Sequence, residues 1–350
     1  MHATTVGVDL AKNRIELAFA DEQFRIVCRE RLSRLRFAQR LSNHPPCLVV
    51  MEACGSAHYW ARRFQALGHE VRLLPAQYVR AYVRRNKTDA ADAAALIEAA
   101  RCADIHPVPV KSLEQQQLQQ LHRLREQYKN TRVSRINLLR GFLREFGVYV
   151  PVGATAGLRT IRQSLQSPDC DWPELLRASL SEVLEEIARL DGKIEGIERQ
   201  LSAQARQDPV VQRLMSIPGV GLLIATGIRA AVGDIQRFPT ARHLSSWLGL
   251  TAREHSSGET RRLGRISKRG DVYLRTLLIH GARSALLAAK VLARNARPLD
   301  RLRQWALQTA SRMPANKATV ALANKLARIL WATWKHERAF DGNWAAHPGH

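Results

Sequence analysis

Four carboxylates and a pair of adjacent serines are the residues of this chain whose types and spacing point to chemistry. Asp9 lies in the apolar stretch "TTVGVDL" at 4–10. Its neighbours predict burial at the centre of a strand, where an uncompensated carboxylate would cost several kcal/mol. Glu52 closes the apolar stretch "CLVVME" at 47–52. Asp89 and Asp92 stand three residues apart at the mouth of an alanine-rich helix, with Thr88 as its N-cap, and residues so spaced share a helix face. If the strands carrying Asp9 and Glu52 are parallel neighbours, all four acids converge. Such a cluster repels itself, and hard divalent cations with oxygen ligands relieve that repulsion, which makes it a Mg²⁺ site. Two ions about 3.5–4 Å apart would clamp a phosphodiester from both sides. Arg84, Arg85 and Lys87, just upstream, could hold the neighbouring phosphates. Each acid also has a plainer reading: Asp89 and Asp92 favour a helix N-terminus through its dipole, and Glu52 is a solvated strand end.

The serines, Ser256 and Ser257, precede Gly258 in a loop dense with Arg253, Arg261, Arg262, Arg265, Lys268, Arg269 and Arg275. Glycine lets backbone approach a target closely, and the arginines would stabilise a pentacoordinate phosphate. Two readings stay open: a nucleophile that forms a phosphoserine, and a turn that only grips phosphate. "IPGVG" at 217–221 offers Gly219 and Gly221 as the hairpin of a helix-hairpin-helix phosphate site, or as a tight turn between core helices. His280 lies on an apolar helix with no second ligand at metal spacing and is expected to pack in the core. Trp305, Trp331 and Trp334 fall on apolar helix faces and read the same way.

The elements that must position these groups follow from periodicity. Strands are expected at 4–10, 15–20, 24–29, 47–52 and 70–75, with helices at 31–42, 57–67 and from 89, in the order βββαβαβα. From 113 and again over 179–201 apolar residues recur at helical spacing, separated by "GVYVPVGATAGLRT", so two long helices are expected, either folded into an antiparallel coiled-coil hairpin or packed as two ordinary bundle helices. Further helices are expected over 271–293, 299–312 and 316–336. The 54 Lys and Arg against 31 Asp and Glu give the 350 residues a formal charge of +23, spread along the chain, which attracts polyanions and nucleic acid first. Five cysteines without a C-x-x-C pair indicate neither a disulfide framework nor a zinc ribbon. No signal peptide or membrane span is expected, and no nucleotide-binding G-x-x-x-x-G-K-[ST] motif is present.

Taken together, Asp9 in "GVDLAK", Glu52 in "VVMEACG", the pair in "NKTDAADA", "IPGVG" and "SSG…SKRGDVYLR" resemble the DEDD transposases of bacterial insertion sequences. These are the bridge-RNA-guided serine recombinases called the one-ten family, and the resemblance spans about 4–335. It implies an α/β RNase H-like domain of Holliday-junction-resolvase type over 1–108 and a coiled-coil arm over 109–205. A mainly α-helical transposase domain over 206–337, with the hairpin and serine loop, would follow; the residues beyond it, ending in "DGNWAAHPGH", read on their own as a flexible tail over 338–350. It implies that Asp9, Glu52, Asp89 and Asp92 bind Mg²⁺ and that Ser257 attacks DNA, with Ser256 the alternative that the doubled serine leaves open. Gly219, Gly221, Arg261, Arg262, Arg265, Lys268 and Arg269 would then join Arg84, Arg85 and Lys87 in binding nucleic acid. Implied partners are donor and target DNA, a non-coding guide RNA, and further copies of the chain in a dimer or tetramer where one subunit's serine meets another's acids. The setting would be the bacterial cytoplasm, at the nucleoid. The rival readings are a metal-dependent Holliday-junction-type endonuclease, in which water attacks, and a non-catalytic nucleic-acid-binding protein.

Overall fold

The computed structural model describes residues 3–82, 89–167, 172–258 and 260–343. The chain divides into two compact units, Met1–Leu113 and Glu114–His350.

In the first unit, β1 (Thr5–Leu10), β2 (Arg14–Ala20) and β3 (Ile26–Ser33) lead through helix α1 (Arg34–Ser42) to β4 (Leu48–Glu52). Helix α2 (Ala57–Ala66), β5 (Glu70–Leu74), the short α3 (Ala76–Val79) and α4 (Asp89–Ala100) complete it. The expected order holds. The third strand runs on to Ser33 where a helix was expected from 31, because pairing with β2 carries it as an exposed edge. The sheet order is β3-β2-β1-β4-β5, with β1 antiparallel to β2 and parallel to β4. One face is apolar and bulky: Val6, Val8, Leu17 and Phe19 pack on Phe37 of α1 and on Trp60 and Phe64 of α2. The other face is built from small residues. Ala18 and Ala20 pack on Ala93 and Ile97 of α4, and Gly7 lies so close that an added Cβ would stand 2.4 Å from the Ala93 carbonyl oxygen. Leu96 and Ala99, one and two turns beyond Asp92, pack with Val50 and Leu74. The alanine-rich composition of α4 is what permits this approach.

The second unit opens with two long helices, α5 (Leu113–Glu145) and α7 (Glu174–Gln207), with α6 (Ala154–Gln166) between them. Ion pairs Arg125–Glu198 (2.7 Å), Arg132–Asp191 and Arg135–Glu186 (2.6 Å) climb one helix while descending the other, so the two run antiparallel. The chain breaks over 146–153 as the glycines and proline require, but α6 then forms a helix where none was expected. Its Leu158 and Ile161 cover Leu139 and Leu143 of α5 and Leu180 of α7.

Beyond lie α8 (Pro209–Met215), α9 (Leu222–Val232), α10 (Ala241–Trp247), the ribbon of β6 (Ala252–Glu254) and β7 (Leu263–Ile266), and α11 (Val272–Arg294). Helices α12 (Arg301–Arg312) and α13 (Ala315–Lys335) follow, close to the expected spans. The core joins Ile224 and Ile228 of α9, Leu274, Leu278 and Ala282 of α11, and Leu322, Leu326 and Leu330 of α13. By length and composition alone α11 could cross a membrane. Instead it packs this core, and its buried Arg275 donates to the carbonyls of Leu248 (3.2 Å) and Arg269 (3.1 Å). Apolar residues such as Leu287 and Val291 also stand on the exposed side of α11, so its pattern does not mark the inward face sharply, and His280, expected in the core, is exposed.

Two other histidines are buried among the described residues, His69 just before β5 in the first unit and His122 of α5 in the second. The Thr226 hydroxyl donates to the Leu222 carbonyl (2.6 Å), so it accepts from His122 Nε2–H (3.0 Å), and Nδ1 in turn accepts from the Tyr273 hydroxyl (2.9 Å). This neutral imidazole ties α5 to α9 and α11. Burial, then the Arg125 charge, pushes its pKa down to about 4.

Two outcomes are expected. Gly7→Ala should force α4 off the sheet and destabilise the first unit by about 3 kcal/mol, the upper part of the overpacking range, read as a lowered thermal midpoint. As pH falls from 6.5 towards 4 the unfolded chain takes up a proton at His122 that the folded one refuses, so stability declines across that window. The loss should be about 2 kcal/mol between pH 7 and 5, and urea midpoints of His122→Gln should show a correspondingly flatter pH dependence.

Candidate active site

The register of the first sheet assembles a row of charged side chains at the end from which α4 begins. Asp9 lies opposite Glu16 on β2, and Glu16 lies opposite Arg31 on β3. On the other side the last registered β1–β4 pair is Val8 with Met51, so Asp9 and Glu52 each follow by one residue on neighbouring parallel strands. Directly opposed residues share a face, and alternation places Asp9 with Gly7 and Glu52 with Val50, both on the α4 side. Asp9 is the penultimate residue of β1 and half-buried, not central and sealed as its apolar neighbours suggested. Glu52, which ends its strand as expected, and Asp92 are half-buried too. Asp92 stands one turn before Leu96, on the stripe that packs on Val50.

Cys54 lies within the field of two of these acids. Burial, then the negative charges of Glu52 and Asp9, raise its thiol pKa above the ordinary value. Cations border the row: Arg31 pairs with Glu16 at 3.0 Å, and Arg29 Nη1 donates to the Ala90 carbonyl (3.1 Å) in the first turn of α4. Neither Glu16 nor Arg29 was found from the sequence, because only strand pairing brings them to the acids.

Asp89 begins α4, one turn before Asp92, and its side chain lies outside the described residues, as do Arg84, Arg85, Lys87 and Thr88. Among the described residues no group of three His, Cys, Asp or Glu side chains is gathered as a metal site. The acids that strand register and the α4 stripe put on this side of the sheet, Asp9, Glu52 and Asp92, offer oxygen only, the donor type that suits a hard divalent cation such as Mg²⁺.

The serines sit at the tip of the β6–β7 hairpin. Ser257 and Thr260 exchange backbone hydrogen bonds (3.3 and 3.1 Å) across the turn, and Gly258 takes φ 54°, which glycine adopts without strain. The two hydroxyls differ. Ser256 Oγ donates to Glu254 (2.7 Å) and accepts from the Arg262 amide (3.2 Å). Ser257 Oγ is exposed and has no hydrogen-bond partner among the described residues. Glu254 is itself held below its usual pKa, first by the Ser256 hydroxyl and further by Arg261, with which it pairs at 3.2 Å. Arg261, Arg262, Arg265, Lys268 and Arg269 are all exposed on this ribbon and the loop after it.

"IPGVG" forms the turn between α8 and α9. Gly219, at φ 87°, is pressed on α11, where a Cβ would stand 2.6 Å from the Gly281 carbonyl oxygen. Close helix packing thus explains this glycine without a ligand, whereas Gly221 is exposed as the N-cap of α9.

Comparison with known proteins gives two matches to family models. Residues 211–296 match the model described as transposase, IS116/IS110/IS902 family, and residues 6–148 match a transposase model of the IS110 DEDD type. A Pseudomonas aeruginosa protein named "Probable family 20 transposase" is 42% identical over 341 residues, covering 97% of this chain and 99% of that protein. The transposase for insertion sequence element IS1111A of Coxiella burnetii is 37% identical, covering 96% and 90%. That for IS1328 of Yersinia enterocolitica is 36% identical, covering 97% and 99%.

Proposed function

Since this chain belongs to the IS116/IS110/IS902 family of insertion-sequence transposases, we propose that it cuts and rejoins DNA strands through a phosphoserine formed on Ser257. The observation that carries the choice of residue is the contrast within the hairpin. Ser256 Oγ is occupied by Glu254 and the Arg262 amide, while its exposed neighbour is free to reach a phosphodiester. Ser257 Oγ forms a bond to phosphorus as the bond from phosphorus to the deoxyribose oxygen breaks. The proton that Oγ loses is balanced by the one the sugar oxygen gains, and the reverse attack by another strand restores the serine. The bond energy is conserved in the phosphoserine, so no ATP is needed.

The exposed arginines around the turn would neutralise charge on the phosphate as it becomes pentacoordinate. The DEDD type of the matched family suggests a divalent metal, typically Mg²⁺. Asp9, Glu52 and Asp92, together with Asp89, would hold it, on what we read as an RNase H-like sheet. Bound there, Mg²⁺ would polarise phosphate oxygens and stabilise developing charge. Glu16 and Arg31 would set the charge beside Asp9. Arg84, Arg85, Lys87, Gly221 and the cations of the ribbon would bind backbone phosphates. The paired α5 and α7 would serve as a coiled-coil arm in a homo-oligomer, and a non-coding RNA would guide the enzyme to donor and target DNA. The formal charge of +23 supports polyanionic partners of either kind.

The deciding experiment is denaturing capture of protein–DNA adducts. Wild type and Ser256→Ala should both form the adduct and Ser257→Ala should not; an adduct surviving Ser257→Ala would refute the assignment, and strand cleavage by that variant would establish attack by water instead. Calorimetric titration with Mg²⁺ should show uptake by wild type and at least tenfold weaker uptake by Asp9→Asn and by Glu52→Gln, each with unchanged circular dichroism.

A further inference from the structure

A cavity of about 790 Å³ opens where the start of α12, the second half of α13 and the segment after α13 meet. Its size is that of a small-molecule site. Arg301, Lys325, Arg328 and Arg338 line it, with Asp341 the one carboxylate among the described lining residues. Asp341 is partly engaged already, since its Oδ1 accepts the Asn343 amide at 2.8 Å. The four cationic side chains make no ion pair or side-chain hydrogen bond with the described residues, apart from the stacking of Lys325 Nζ 4.5 Å over the Trp305 ring. Lys325 is held below its usual pKa by burial and then by Arg328, as expected of like charges that lack a counter-ion.

The cavity is also aromatic. Trp331, expected in the core, is only half-buried and lines it. Its indole is fixed, because Nε1–H donates to the Phe238 carbonyl at 2.9 Å. Phe340 adds a second ring from the segment after α13. That segment, where fraying was expected, is tied down by the Phe340 amide to Ser216 Oγ (2.9 Å) and by the Arg301 amide to the Gly342 carbonyl (3.1 Å). Two rings and four cations without a counter-ion among the described residues, set around one concavity, suit a ligand that carries a flat π-face and a phosphate together.

We propose that this cavity receives one unstacked nucleotide of a single-stranded nucleic acid, its base against Trp331 and Phe340 and its phosphates against Arg301, Lys325, Arg328 and Arg338. A base within a duplex is stacked and cannot enter such a recess, whereas a single strand presents bases that stack on aromatic side chains. The inference rests on reading the chain as a nucleic-acid enzyme, but not on the serine chemistry.

The test uses the full-length protein with short single strands of DNA and of RNA carrying a photoreactive uracil, the same strands as duplexes, and free UMP and dTMP as competitors. Crosslinks should map to the peptides containing Trp331 and Phe340. Lys325→Gln with Arg328→Gln should weaken single-strand binding about tenfold or more, and Phe340→Ala about fivefold, with duplex binding changed less than about twofold. Competition by the mononucleotides would support the site and make free nucleotides its source; no competition, with the other results as expected, would support it and assign it to strands. Single-strand affinity within twofold of wild type, crosslinks confined to other peptides, or equal loss on duplexes would overturn it. Formation of the Ser257 adduct by Lys325→Gln/Arg328→Gln keeps the two readings apart: that adduct bears on the catalytic proposal alone.

Discussion

The close contact between Gly7 and the Ala93 carbonyl is the constraint on which the acidic end of the first sheet depends. A helix can lie this near a strand only if the strand offers no side chain beneath it, and Ala18 and Ala20 continue the bare track on β2. With α4 held there, Asp92 is one turn short of Leu96 and its packing on Val50, on the side of the sheet where Asp9 and Glu52 emerge. The acids therefore need no long flexible approach. Their backbones are fixed by hydrogen-bonded strands and a packed helix, so the repulsion among them is resisted by packing and eased by Arg31 next to Glu16.

Much of this was legible in the sequence. The alternation and length of the apolar stretches gave β1, β4 and β5, and the run of alanines after Asp89 gave α4. The parallel pairing of β1 with β4 matched the arrangement needed to bring Glu52 towards Asp9. What was not legible required partners distant in the chain. Glu16 looks like an ordinary polar residue of a half-exposed strand until β2 pairs with β1 and sets it opposite Asp9. The depth of Asp9 was overstated because flanking apolar residues report on the strand's middle, and Asp9 is near its end.

Helices failed differently. In α6, Leu158 and Ile161 are apolar at helical spacing, but the run is short and follows a Gly- and Pro-rich break, so its packing on α5 and α7 decides its structure. His280 proved exposed, and the burial of His122 went unread, for a related reason. On α11 apolar residues stand beyond the inward face as well, and the side that is buried includes Gly281 against Gly219, while on α5 the polar surroundings of His122 hide that it closes a network with Thr226 and Tyr273. The equivalence of Ser256 and Ser257 in the sequence likewise ends only when the hairpin folds and Glu254 claims one hydroxyl.

The ladder of ion pairs between α5 and α7 has a consequence for handling the molecule. Arg125–Glu198, Arg132–Asp191 and Arg135–Glu186 are all partly open to solvent, and added electrolyte screens such pairs over about 8–10 Å at physiological ionic strength and less above it. The brine that strips adhering polyanions from so cationic a chain thus also slackens this pair of helices, leaving Leu139, Leu143, Leu158 and Leu180 as the clasp that salt does not loosen.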